Sequence, residues 1–246
     1  MSTQQRSNAR PVQQQRKGPL LFIVSLLGGF AFSIFTALLF SMLIAWIGMH
    51  WWWKNEGIRH SQNLVTQDLN YLKDYDRNLA TGETASEFAA GWATAVVIAA
   101  DKIGFTRLIK AGAESIPATA TDGQRRARNI LRTIAIYLLA AFFVFQDIAV
   151  RLAVVYLALP ALALAVVLGT VDGLARRDIR KWSGGRESSF LYHHSKRLLW
   201  PAFTGGFFLY LTWPVSGVNP VWVVLPFCVA TGLTVSLMAA TFKKYL

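Results

Sequence analysis

Cysteine is almost missing from this chain: Cys228 is the single one in 246 residues, and it lies inside an apolar run. A disulfide framework is therefore excluded, and so is a multi-cysteine metal site. Charge is also scarce. Asp, Glu, Lys and Arg make up 15% of the sequence, whereas soluble domains run nearer a quarter. Acidic residues are the rarer sign, 13 against 25 Lys and Arg, for a net charge of +12. No Gly-x4-Gly-Lys-Ser/Thr phosphate loop occurs, which excludes the ATPase of a molecular machine. What the chain does have is apolar surface: 54% of its residues are hydrophobic and mean hydropathy is +0.37. That combination belongs to the membrane class. In such a protein, excess Lys and Arg first suggests orientation of loops rather than nucleic acid.

Residues 1–19 are rich in Gln and carry Arg6, Arg10, Arg16 and Lys17 without apolar periodicity, so a disordered basic tail is expected. Leu20 to Met49 runs without a charge. It is long enough to span a ~30 Å hydrocarbon core and too long for the apolar region of a cleavable signal. Trp51, Trp52 and Trp53 follow, as expected at headgroup level. Residues 50–87 form a polar extracytoplasmic segment. Val65, Leu69, Leu72 and Leu79 recur there at helical spacing and predict a short amphipathic helix. Residues 88–109 make a weak or short membrane segment, and 110–132 a basic loop.

Residues 133–171 are apolar except for Gln146, Asp147 and Arg151. The stretch is too long for one span, which predicts two helices with a tight turn near 146–151. A basic cytoplasmic loop, 172–197, then leads into an apolar hairpin at 198–242 with Pro214, Gly217 and Pro220 at its turn. Residues 243–246 form a basic C-terminus. The expected architecture is all-α and polytopic with six spans. Five result if 88–109 does not cross, and four if 133–171 enters and returns. Six spans with both termini inside place 20 of the 25 Lys and Arg in the cytoplasm, and five spans only 5. The positive-inside tendency therefore favours six, in a bacterial inner membrane.

Asp147 and Arg151 lie four apart, share a helical face and form a candidate intramembrane polar pair. Placed beside the expected turn, both reach the interface, so their structural role outweighs a proton relay. His193 and His194 are adjacent and point in different directions on a helix, unlike metal ligands, so no metal or other cofactor is expected. Ser188, Ser189 and Ser195 lie near His194 without a nucleophile elbow, and no enzyme is expected. Arg176, Arg177, Arg180 and Lys181 cluster just before Trp182. They would contact anionic lipid or dock an acidic partner. Gly169 and Gly173 are spaced for close helix packing.

The run Val171-Asp-Gly-Leu-Ala-Arg-Arg-Asp-Ile-Arg-Lys-Trp-Ser-Gly-Gly-Arg-Glu-Ser-Ser-Phe-Leu-Tyr-His-His-Ser-Lys-Arg197, with its flanking apolar helices, resembles an uncharacterised membrane-protein family of integrating conjugative elements. Members are typically encoded beside the coupling ATPase of a type IV secretion system. The resemblance implies an accessory or structural component of the inner-membrane apparatus for DNA transfer. It makes Arg176, Arg177, Arg180, Lys181, Arg186, Glu187, Tyr192, His193 and His194 candidates for partner binding, not catalysis. The expected partners are membrane lipid and the coupling ATPase or another conjugation subunit. Direct DNA contact is disfavoured, because only Trp182, Phe190 and Tyr192 offer stacking faces. The competing expectation is a small secondary transporter or channel-like protein with Asp147 and Arg151 lining its path.

Overall fold

A computed structural model describes residues 19–73, 84–114, 121–184, 189–213 and 219–242. The basic tail before residue 19, Leu79, Arg186, Glu187, the turn at 214–218 and the last four residues lie outside them. Seven helices make up the described chain: α1 (Pro19–Trp51), α2 (Ile58–Lys73), α3 (Ala85–Lys102), α4 (Phe105–Ala113), α5 (Asp122–Trp182), α6 (Ser189–Thr212) and α7 (Pro220–Thr241). No strand occurs among the described residues.

Local chemistry sets several of the boundaries. Thr84 caps α3: its hydroxyl accepts from the Glu87 N–H at 3.2 Å, and its own N–H donates to Glu87 Oε2 at 3.0 Å. This reciprocal pair satisfies two otherwise orphaned donors. The Gln124 side chain accepts from the Thr121 N–H at the start of α5. Asn219 Oδ1 accepts from the Val221 N–H, with Pro220 in the first turn of α7, where a missing N–H is harmless. Between α3 and α4 the chain bends by 76° at Gly104, whose φ of +76° suits a residue without Cβ.

The organising element is α5. Its 61 residues amount to roughly 90 Å at ~1.5 Å per residue, and Pro160 does not interrupt it. The expected tight turn near 146–151 is therefore absent. That turn followed from length alone, and the segment Phe145-Gln-Asp-Ile-Ala-Val-Arg151 contains no Gly, Pro or Asn to make one. The basic segment 172–197 is likewise corrected: helix continues through Trp182 and resumes at Ser189. Within 110–132, α4 extends to Ala113 and α5 begins at Asp122.

Packing gives the helices their directions. Gly169 lies against Gly232, Gly173 against Ser236 and Arg177 against Phe242, so α5 and α7 run parallel. A Cβ at Gly169 would strike the Gly232 carbonyl, and one at Gly173 the Ser236 carbonyl, which is why only glycine admits this approach. Gly206 on Phe227, together with a small cavity shared by Tyr210 and Val223, sets α6 antiparallel to α7. Trp46 donates to the Tyr137 carbonyl, while Ala37 packs with Val144 and Ile148. Hence α1 runs antiparallel to α5. It also meets α6, through the Phe40–Phe208 ring contact and a Ser41 bond to the Leu211 carbonyl. α6 and α7 pack along the C-terminal half of α5, and α1 joins them from α6 and from α5 at Tyr137–Ile148, completing a four-helix section. α2, α3 and α4 pack on the N-terminal and middle turns of α5, where Phe88 meets Tyr156, Phe105 meets Phe142 and Gly112 meets Ala135.

Three helices, α1, α5 and α7, are long and apolar enough to cross a membrane, or four if the bent α3–α4 pair is one span. The expectation of six is thereby overturned. It required α5 to be two helices, and α5 is one.

Candidate functional sites: a buried charge clasp and a basic helix end

Arg151 sits on α5 where the four-helix section meets α2, and it is only 2% exposed. Its Nε lies 3.0 Å from Asp147 Oδ2, one helical turn earlier, and donates to Asp68 Oδ2 of α2 at the same distance. Its Nη1 donates to the carbonyls of Tyr210 and Trp213 at 3.0 and 2.6 Å. These two acceptors belong to the last turn of α6 and the residue just beyond it, where carbonyls have no intrahelical partner. The guanidinium also lies over the Tyr210 ring, 5.7 Å from its centroid. One side chain therefore ties α2, α5 and α6 together.

Asp68 and Asp147 are each 6% exposed, and each sets an Oδ2 3.0 Å from the Arg151 Nε. Asp147 Oδ1 and the Tyr210 hydroxyl are buried without a hydrogen-bond partner. The placement of Asp147 and Arg151 beside an interfacial turn is thus corrected: both are buried in mid-helix. Sequence reasoning missed Asp68 and Tyr210. The apolar stripe read through Val65, Leu69 and Leu72 lies beside the buried one, which is Ser61, Leu64, Asp68 and Leu72. An acidic residue at helical spacing within that stripe was the signal.

The second candidate lies at the C-terminal end of α5. Arg176 pairs with Asp172 at 2.9 Å and Lys181 with Asp178 at 3.1 Å. Asp172 also accepts from Ser236 Oγ on α7 at 2.5 Å. Arg177 covers the Phe242 ring, and Arg180 donates to the Ala240 carbonyl, capping the end of α7. Trp182 projects beyond them, 92% exposed. Ser183 then caps α5, and Gly184 turns the chain at φ +66°. Tyr192, His193 and His194 lie on the first turns of α6, with His194 exposed. The structure therefore brings the start of α6 and the ends of α5 and α7 to one end of the four-helix section. It keeps them far from Arg151. Among the described residues no three His, Cys, Asp or Glu side chains converge as a metal would need.

A family model described as IncC plasmid conjugative DNA transfer protein DtrJ-like matches residues 52–243. No curated protein and no solved structure gives a match.

Proposed function

The chain belongs to the DtrJ-like family of conjugative DNA transfer proteins, and from that premise we propose that it is a membrane-embedded, non-catalytic subunit of the transfer apparatus. In this reading the basic end of α5 docks an acidic protein partner, such as the coupling ATPase. The resemblance read in Asp172–Arg197 and the family match over most of the chain point to the same process.

One observation carries the docking reading: the chain that joins α5 to α6 at one end of the four-helix section is flanked by basic residues, and the chain that joins α6 to α7 at the other is uncharged. From the last turns of α5 to the first turns of α6, residues 172–197 carry Arg176, Arg177, Arg180, Lys181, Arg186, Lys196 and Arg197. The connection at the opposite end, 213–219, has no charge at all. Short loops of this contrast orient a membrane protein with the basic end in the cytoplasm. A coupling ATPase would be met on that side. Arg180 and Arg177 are held by α7, so the surface they form is rigid and need not be ordered on binding.

The four-helix section also supplies the crossings. α5 and α7 are parallel, so the chain between them has to return, and α6 is that return leg despite Lys196, Arg197 and Pro201. With α1 this gives four crossings and both termini on the cytoplasmic side of a bacterial inner membrane. A ~30 Å core accommodates only the part of α5 beside α6 and α7. The rest of α5, with α3 and α4, exposes Trp92, Ile98, Ile103, Ile134 and Phe145. Apolar surface of this kind outside the bilayer suits a subunit covered by neighbours in an assembly.

A photocrosslinking residue in place of Trp182, in donor cells whose own copy is deleted, tests the docking. The expected result is an adduct with another transfer protein that disappears when Arg176, Arg177 and Arg180 are changed to Glu. An adduct that survives the charge reversal contradicts electrostatic docking. A transporter reading gains little from the cavities. The apolar groove of about 320 Å³ between α2, α3, α5 and α7 has no charged residue among those that line it.

A further inference from the structure

Two buried carboxylates share one guanidinium in the clasp, and nothing in the docking reading uses the imbalance. With Asp68, Asp147 and Arg151 all ionised, the site carries one uncompensated negative charge at 2–6% exposure. Burying a lone charge is far more costly than burying a neutralised one. Two carboxylates gathered on one guanidinium nitrogen relieve their repulsion when the pair takes up a single proton. The trio is then neutral, with one carboxylate balancing Arg151.

The surroundings supply both a vacancy for hydrogen bonding and a way in. Asp147, whose Oδ1 has no partner, lines a cavity of about 20 Å³ together with Ser41, Trp53, His60, Ser61 and Trp213. That is room for one water with polar neighbours. His60 stacks on Trp53 at 3.9 Å, and its Nδ1 lies 2.9 Å from Glu56 Oε2. Glu56 is 55% exposed, so the file from solvent to Asp147 runs Glu56, His60, cavity, carboxyl pair. Among the described residues the other elements bring no competing charge. α1 contributes Ser41 and Ala45, α3 contributes Ala89 and Ala93, α7 contributes Val223, and α6 contributes the Tyr210 ring and hydroxyl. Among the described residues, Asp68, Asp147, Arg151, Tyr210, His60 and Glu56 are therefore the titratable groups that face the site.

We propose that Asp68 and Asp147 form a proton-binding site, holding one proton between them at neutral pH and exchanging it with solvent through His60. A hydronium ion at Glu56 gives up a proton and is left as water, and the proton passes by way of His60 and the cavity to form an O–H bond on one carboxylate of the pair. The site lies at the junction of α2, α5 and α6, so its occupancy governs how α2 is held to the four-helix section. This inference is independent of the docking reading, since it concerns the opposite end of that section.

Infrared spectroscopy of the full-length protein in lipid nanodiscs at neutral pH tests it. A protonated carboxyl gives a carbonyl stretch that carboxylates lack. The expected result is a band in the wild type that shifts with carbon-13 aspartate and is lost in Asp147→Asn and in Asp68→Asn, with helical circular dichroism unchanged. Exchange of that band into heavy water should slow several-fold in His60→Phe. A wild-type spectrum with no aspartate-dependent carboxyl band would overturn the site. The labelled wild type gives this answer even if a variant fails to fold. Equal exchange rates in wild type and His60→Phe would overturn the route through His60.

Discussion

Arg151 is the residue on which the most contacts depend, and its loss should be felt through what it leaves behind. Arg151→Met would strand two buried carboxylates and two end-of-helix carbonyls. Breaking a buried pair on one side typically costs about 3–5 kcal/mol. Thermal unfolding in nanodiscs should show a large drop for Arg151→Met and a much smaller one for Asp147→Asn, which leaves Asp68 to balance the guanidinium. A second test concerns the close approach of α5 and α7. Gly169→Leu places a side chain where the Gly232 carbonyl already stands, and forced overpacking of this kind costs about 1–3 kcal/mol. The same substitution at Gly123, which meets nothing within 4 Å, should leave stability close to wild type in the same unfolding assay. The spacing of Asp147 and Arg151, and of Gly169 and Gly173, was legible as helix-face pairing. Their partners Asp68, Tyr210 and Gly232 were not, because each arrives from a helix distant in sequence.

At the scale of elements, the apolar runs located α1 and α7 directly, since a charge-free stretch of that length has few other uses. α5 was misread for a definite reason. Length relative to a bilayer was taken to require a turn, while 146–151 holds no Gly, Pro or Asn to make one. The excess length is instead packed against α1, α2, α3 and α4, so protein rather than lipid covers part of it. Spin labels at Arg132→Cys and Arg176→Cys, in a Cys228→Ser background, read this directly. A continuous helix separates those positions by roughly 66 Å at ~1.5 Å per residue, somewhat less if Pro160 bends it. A hairpin at 146–151 would bring the labels close together instead.

At the scale of the whole molecule, charge counting favoured six crossings because it assigned 101–132 to the cytoplasm. The fold puts α4 and the start of α5 at the opposite end of α5 from Arg176–Lys181, and the six-span bookkeeping no longer applies. Topology reporters at residues 79 and 118 should therefore read on the same side, opposite to one at residue 186. Opposite readings at 79 and 118 would restore a crossing by α3.

Transfer frequency from a donor with an in-frame deletion of this gene tests the central claim most directly, with complementation by the wild type or by the Arg176→Glu, Arg177→Glu, Arg180→Glu variant. The account predicts that the wild type restores transfer and that the charge-reversed protein, inserted at equal level, does not. Full restoration by the charge-reversed protein would contradict it.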